Sequence, residues 1–522
     1  MKKICLEKQL ICRAKKSKHI ILYGAGMVGE LTFKRLSAYG LQEKIIGFAV
    51  SKKVKNNDED SRFCGLLVYE ITELEAYRKE ALVIVATLSN LHEEIKNNLS
   101  VLFFENVVLV NKKLYESFER HYIADFQNKN NSTISKENKL KILFMASDNN
   151  RLSGAFLCMV ELCGMLLKNG VDVLIVLPLF GTGEKLLIQK EIPYTFIASK
   201  DWAYEIAKDN EYPEKIKFML GQLTNYKARK KLSALIKEQS VSLVHCNTTY
   251  TYIGAVAAKR CGIPFVWHLR ENLENQGYRI FAYSKSIKLL EEADKIIAVS
   301  DYVKGLMKFK KKNLVTTVYD AVEIEEDKCK KRKIFNQKTV RMIQVGLIAP
   351  YKGQRELIDA CRIIKNKNII DFHLLIVGKS KENYVNELKE FVKRYGLKDN
   401  ISFWGPSEHV SELYVNSDIS FMCGEKEAYG RVTIESQMAG CLVIGVNAGG
   451  TAELIRDGET GYLYEAGNSE SLAEKIVTAI STPELSERIA KTGQEYAHKT
   501  YTGERNLREI MNIYEDAVRR TI

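Results

Sequence analysis

Short apolar runs recur along this chain, separated by stretches of helical length, and that alternation leaves few folds open. KILFMAS (141–147), VDVLIVLP (171–178), SLVHCN (242–247), IPFVWHL (263–269) and KIIAVS (295–300) each read as a strand buried on both faces. Segments such as YIGAVAAKRCG lie between them, and strands alternating with helices of roughly 10–15 residues predict a parallel α/β sheet. A second set follows: RMIQVG (341–346), FHLLIVG (372–378), ISFWG (401–405), DISFMCG (418–424) and LVIGVN (442–447). Connections in such sheets are right-handed, so ligands are expected at the carboxyl ends of the strands.

The amino-terminal part repeats the pattern on a smaller scale. HIILYGAGMVGELTFKRL runs from a strand through Gly24 and Gly26 into a helix that contains Gly29, matching G-x-G-x-x-G in a strand-turn-helix context. IIGFAV (45–50) and ALVIVAT (81–87) supply further strands, so a small Rossmann-like unit is expected. Where a nicotinamide site places an acidic residue, the chain reads Ser51-Lys52-Lys53. The glycines then serve either a phosphate or only tight turning and helix packing.

With 522 residues, several cores are expected rather than one. The organisation read from the sequence is an accessory domain over 1–125, a linker over 126–139, α/β domains over 140–330 and 331–505, and a closing helix over 506–522. The linker assignment rests on DFQNKNNSTISKENK, which has too little apolar content to build a core. That helix carries Leu507, Ile510, Met511, Ile513, Tyr514 and Val518 at helical spacing and is expected to pack at a domain boundary.

Eleven cysteines without a C-x-x-C pair read as small buried apolar residues in a reducing compartment. The basic start lacks a signal-peptide core, and no apolar stretch approaches the roughly 20 residues of a spanning helix, so a cytoplasmic protein is expected. A formal charge of +13 predicts an anionic partner. The basic runs KARKK (227–231), KGLMKFKKK (304–312) and KCKKRK (328–333) lack interleaved aromatics apart from Phe309, which argues against nucleic acid and leaves an anionic membrane surface as the candidate.

The stretch GEKEAYGRVTIESQMAG concentrates the chemistry. DISFMCG is a strand and RVTIESQMAGC is helical in composition, so Ala428-Tyr429-Gly430 forms the turn between them. Free amides at that helix start suit a diphosphate, and Gly430 permits close approach. Glu427 precedes the helix and Glu435 lies inside it, so the carboxylates can accept from hydroxyls on either side of the phosphates. Lys352-Gly353 sits between another strand and helix, where the lysine can neutralise phosphate charge, and Gly449-Gly450 follows a third strand.

The series VGLIAPYKG, EAYGRVTIESQMAGCLVIGVNAGGTAEL and DGETGYLY is similar to the donor half of the family-4 retaining glycosyltransferases with the GT-B fold, whose E-x(7)-E hallmark is matched by Glu427 and Glu435. The resemblance covers roughly 140–520. It implies two facing Rossmann-like domains around a cleft, 140–330 on the acceptor side and 331–505 on the donor side. It further implies catalytic residues His268, Lys352 and Glu427, with Glu427 on the donor sugar, Glu435 on the ribose and Lys352 on the diphosphate. Gly154, Arg270, Tyr429, Gly430, Arg431, Gly449 and Gly450 complete the implied donor site. Leu347 stands where many members carry an arginine, and either Arg431 or Arg270 compensates or donor binding is weaker.

The expected activity is hexosyl transfer, by same-face attack, from a nucleotide diphosphate sugar, a UDP-sugar first, with no cofactor or metal required. A glycan or lipid-linked glycan at the inner membrane face is the expected acceptor, as in cell-surface polysaccharide assembly. The oligomeric state is left open. Two other readings stay open: a nucleotide-sugar epimerase of similar architecture, and a non-catalytic glycan-binding or scaffold protein. The epimerase would release sugar without acceptor, and the scaffold would tolerate loss of Glu427 and Lys352.

Overall fold

The computed structural model describes residues 7–52, 62–129, 140–205, 211–273, 278–280, 283–306, 309, 314–324, 333–367, 371–380, 382–407 and 409–519. Two compact units divide the chain, Met1–Lys136 with Leu179–Glu184, and Glu137–Pro178 with Lys185–Ile522.

The first unit is a single sheet with spatial order Arg62–Phe63, Leu66–Glu70, Ile45–Val50, His19–Tyr23, Ala81–Val85 and Val107–Leu109. Only the two-residue edge strand runs antiparallel. Ile20, Leu22, Leu82 and Ile84 pack on one face of the sheet and Ile21, Tyr23, Val83 and Val85 on the other, as two-sided burial requires. Two boundaries differ from the sequence reading. The helix Lys112–Lys129 runs into the expected linker, because Leu114 and Phe118 bury one turn apart and carry the helix onward; the rest of that linker lies outside the described residues. Leu179–Glu184 belongs to this unit, with Phe180 in its core and edge-on to Tyr122.

The second unit contains two all-parallel sheets. The first has spatial order Val315–Thr317, Lys295–Ala298, Phe265–Leu269, Leu243–Cys246, Lys141–Met145, Asp172–Leu177 and Tyr194–Phe196. The second runs Ile401–Gly405, Phe372–Val377, Val340–Val345, Ile419–Met422, Leu442–Val446 and Tyr462–Tyr464. In each, strand order reverses beside the domain's first strand: Lys141–Met145 neighbours Leu243–Cys246, and Val340–Val345 neighbours Ile419–Met422. Diverging connections open a crevice at such a switch point.

One hydrophobic cluster spans both domains, joining Val244, Trp267 and Ala298 to Ala428, Tyr429, Ile434 and Tyr501. The last helix, Gly503–Arg519, returns to the first domain and packs on the helix Gly154–Lys168 and the strand Phe265–Leu269. Among the described cysteines all are free; Cys158, Cys163, Cys246, Cys361, Cys423 and Cys441 are buried, whereas Cys12 is exposed on its helix.

Candidate active site

The residues singled out in the 331–505 domain gather at its switch point. The loop after Val340–Val345 ends in a short helical turn, Pro350–Lys352, and Gly353 then opens the next helix with φ of 71°. A Cβ at Gly353 would stand 2.4 Å from the Cys423 carbonyl oxygen, so glycine lets this loop lie directly on the end of the strand Ile419–Met422. Gln344 braces the turn by donating to the Lys352 carbonyl at 3.0 Å. The result is a Lys352 ammonium seated on the Glu427 carboxylate, both side chains partly exposed. Burial pulls the Lys352 pKa down, but Glu427 more than offsets it, and the ammonium is held above its ordinary value.

Gly430 caps the helix Arg431–Met438 in the left-handed region, φ 93°, without a side-chain cap, which leaves first-turn amides unclaimed by a capping side chain. Gly449 and Gly450 shape the same loop from below: a Cβ on Gly449 would meet the Glu425 and Glu427 carbonyl oxygens at 2.9 Å, and the Gly450 amide donates to the Glu427 carbonyl at 2.8 Å. These two glycines therefore act through the backbone that carries Glu427.

Arg431 forks onto Glu161 with 2.9 and 2.8 Å contacts and reaches Glu435 at 2.7 Å. Glu161 belongs to the helix that begins at Gly154, so Arg431 ties the donor-side helix start to the acceptor-side helix. Gly154 itself is exposed, with no atom within 4 Å of where a Cβ would stand, and Ser153 caps the helix while donating to Asp148 at 2.8 Å. A groove of about 450 Å³ lined by Tyr351, Gly353, Arg355, Glu356, Glu425 and Lys426 opens beside the Lys352–Glu427 pair.

Three residues expected at the ligand are enclosed by the protein. Tyr429 is buried in the shared core, its hydroxyl donating to the Asp320 carbonyl at 2.7 Å and its ring stacked on Tyr319. Arg270 is enclosed, paired with Asp320 and donating to Asn247 at 3.1 Å, so its charge is already neutralised. His268 is fully buried, enclosed beside His245 and Arg270. The resemblance implies all three at the donor, and each turns inward onto partners within the fold: Asp320 for Arg270 and Tyr429, and His245 with Arg270 for His268.

Around His268 the proton positions follow from donor chemistry. Arg270 only donates, and its Nη2 lies 3.1 Å from His268 Nδ1, so Nδ1 accepts and Nε2 carries the hydrogen. His245 Nε2, 3.3 Å away, then donates to the same atom, and His245 Nδ1 accepts from the Tyr514 hydroxyl at 2.7 Å. Burial, reinforced by Arg270, pushes both imidazole pKa values well down and keeps the rings neutral. His268 Nε2 has no hydrogen-bond partner in the protein. The chain of donors anchors the carboxyl-terminal helix to the strand end that precedes Arg270.

Glu271 accepts at one oxygen from the Thr249 amide (3.3 Å) and hydroxyl (3.0 Å), while its other oxygen is buried without a partner. Burial pushes this carboxyl up to about 7, against the Thr249 bonds and Arg270. Because the folded value exceeds the unfolded one, the bound proton contributes stability that is present below about pH 4.5 and lost as pH rises through about 7. Glu271→Gln is therefore expected to flatten the fall of Tm across that window and to melt higher than the parent at about pH 8, which differential scanning fluorimetry over a pH series reads directly.

In the first unit the glycine loop is filled by the protein. A Cβ at Gly24, φ 121°, would lie 2.6 Å from the Ala86 carbonyl oxygen, and one at Gly29 would lie 2.0 Å from that of Gly24. Turning and packing account for Gly24 and Gly29, while Gly26 opens the helix Met27–Ser37 with free space around it. Ser51 bonds the Tyr23 hydroxyl at 2.7 Å, and Lys53 lies outside the described residues.

Residues 152–326 match the family model described as Glycosyltransferase Family 4, and residues 325–496 the model described as Glycosyl transferases group 1. The two ranges adjoin at the boundary between the two parallel sheets. The chain belongs to the family-4 glycosyltransferases.

This glycosyltransferase is 26% identical over 334 residues to an uncharacterised glycosyltransferase of Methanocaldococcus jannaschii, covering 60% of this chain and 88% of that one. It is 24% identical to the capsular polysaccharide biosynthesis glycosyltransferase CapM of Staphylococcus aureus, over 64% of this chain and 92% of CapM. Among solved structures it resembles Anabaena HepE in complex with UDP and glucose, at a TM-score of 0.60 and 22% identity, covering 72% of this chain and 99% of HepE. That likeness is one of fold, the GT-B arrangement of two Rossmann-like domains.

Glu161 and Asp320 escape the sequence analysis, where Tyr514 counts only as an apolar packing residue. Glu453 accepts from the Asp301 amide at 2.9 Å and the Tyr319 hydroxyl at 3.1 Å, bridging the donor-side domain to the carboxyl ends of the strands Lys295–Ala298 and Val315–Thr317 of the acceptor-side sheet. A glutamate inside a helix carries no local signal for such a role; only its distant partners give it one. Among the described residues no group of His, Cys, Asp and Glu is arranged to hold a metal ion, and no helix is long and apolar enough to cross a membrane.

Proposed function

We propose that this glycosyltransferase moves a hexosyl group, with retention of configuration, from a UDP-sugar to a glycan or lipid-linked glycan during cell-surface polysaccharide assembly. The observation that carries the proposal is the convergence of Lys352, Glu427 and Glu435 around the Gly430 helix start. The diphosphate takes the helix amides and Lys352, Glu427 accepts from donor-sugar hydroxyls and Glu435 from the ribose. As the bond from the anomeric carbon to the phosphate oxygen breaks, negative charge grows on the leaving diphosphate, and Lys352 with the helix amides stabilises it more than the ground state. The acceptor hydroxyl attacks the same face, and its proton passes to the departing phosphate oxygen. HepE in complex with UDP and glucose supports the choice of base and sugar class, and the likeness to CapM supports the kind of product.

The test is a thermal-shift screen of nucleotide sugars, followed by hydrolysis of the stabilising donor. A UDP-hexose is expected to raise Tm and to be turned over, and Glu427→Ala to lose turnover while still binding free UDP. Stabilisation by no nucleotide sugar, or equal turnover by Glu427→Ala, overturns the reading.

A further inference from the structure

The helix Glu211–Glu238 carries a large apolar stripe on its outer face. Ile216, Met219, Leu220 and Leu223 are 53, 70, 63 and 68% exposed, and Tyr226 continues the row at 51%. Elsewhere among the described residues, exposed large apolar side chains are spaced along the chain, singly or in pairs; here five fall within eleven residues on one side of one helix. The opposite side is the core side, with Asn225, Ala228, Leu232 and Ile236 buried at helical spacing.

The rotation of the helix is pinned. Buried Asn225 both accepts from the Lys200 amide at 2.8 Å and donates to the Lys200 carbonyl at 2.9 Å, a two-bond clamp that holds the stripe outward. Beyond the stripe, the outer face turns basic with Lys227, Lys230, Lys231 and Lys237 exposed and Glu238 as its only acid. Lys230 lies over the Tyr226 ring at 4.7 Å, and Arg260 of the next helix acts on the same hydroxyl, so it adds its charge to this side.

We propose that this helix is the membrane-docking face of the enzyme, lying flat on an anionic bilayer with Ile216, Met219, Leu220, Leu223 and Tyr226 among the acyl chains and the lysines on the headgroups. Charge complementarity selects the occupant: apolar side chains next to a lysine cluster fit lipid phosphates beneath which the stripe can bury. A second copy of this chain would instead bring the same lysines against each other. This rests on the membrane-side reading of the acceptor and not on the transfer chemistry, so donor turnover in solution separates the two.

The experiment is co-sedimentation of the full chain with phosphatidylcholine vesicles with and without phosphatidylglycerol. Binding is expected only to the anionic vesicles and to weaken with salt. Met219→Ser/Leu223→Ser should lower the partition coefficient at least tenfold, and each of Lys227→Glu and Lys230→Glu on the order of fivefold. All four positions are exposed, so fold and donor hydrolysis without vesicles should stay at parental levels. Absence of binding to anionic vesicles, or binding unchanged by the serine pair, overturns the proposal. So does conversion of a dimer to a monomer by the serine pair in analytical ultracentrifugation, which would assign the stripe to a second copy.

Discussion

Lys352→Ala is expected to lower kcat for sugar transfer by about 10²–10³-fold, the usual consequence of deleting one charge-stabilising donor from a transfer site. The lysine is held charged by Glu427, so its full positive charge is available where the diphosphate departs. That charge matters more as the bond breaks, so kcat should fall further than KM rises. Deleting the lysine alone also leaves Glu427 facing the diphosphate without its counter-ion. Lys352→Ala/Glu427→Gln should therefore bind UDP more tightly than Lys352→Ala while remaining inactive, a coupling that a double-mutant cycle measures. Steady-state kinetics with UDP-sugar and isothermal titration with UDP give the two readouts. An alanine variant with parental kcat would remove Lys352 from the mechanism.

Arg431→Ala should cost about 3–5 kcal/mol of stability in the transferase unit, because it strands two carboxylates rather than one. Burial pushes the Glu161 carboxyl pKa up and Arg431 is the group that counters that push; Glu435 loses its contact at the same time. Differential scanning fluorimetry should register a drop of several degrees, and Arg431→Met/Glu161→Gln should recover part of it by removing both charges. The substitution also decides what stands in for the arginine that the family resemblance implies at Leu347, which is exposed. If Arg431 served the phosphates directly, the alanine variant would keep its Tm and lose donor affinity instead. The bidentate hold on Glu161 predicts the reverse order of effects.

The placement of Glu427 and Glu435 follows from the sequence because it is local: the strand, the glycine break and the helix that carry them are contiguous. Lys352 and its following glycine were legible for the same reason. Arg270, Tyr429 and His268 occupy equally conspicuous positions, yet their side chains are closed off by Asp320, by the shared core and by the pair His245 and Tyr514. Those partners lie 50, 109 and 269 residues away along the chain for the bonds that fix Arg270, Tyr429 and His245.

The order of apolar runs along the chain determined the parallel sheets, since a strand apolar on both sides has to be covered on both sides, and short helical connections cover it. Strand order, and with it the switch points where the loops open, came only from tertiary pairing. The helix Glu211–Glu238 marks the same division. Its apolar residues surround the axis in the sequence, and spacing alone does not say which of them the core takes. Asn225 settles it through two hydrogen bonds to Lys200, because a buried amide must find both a donor and an acceptor, and the backbone that supplies them arrives from another part of the fold.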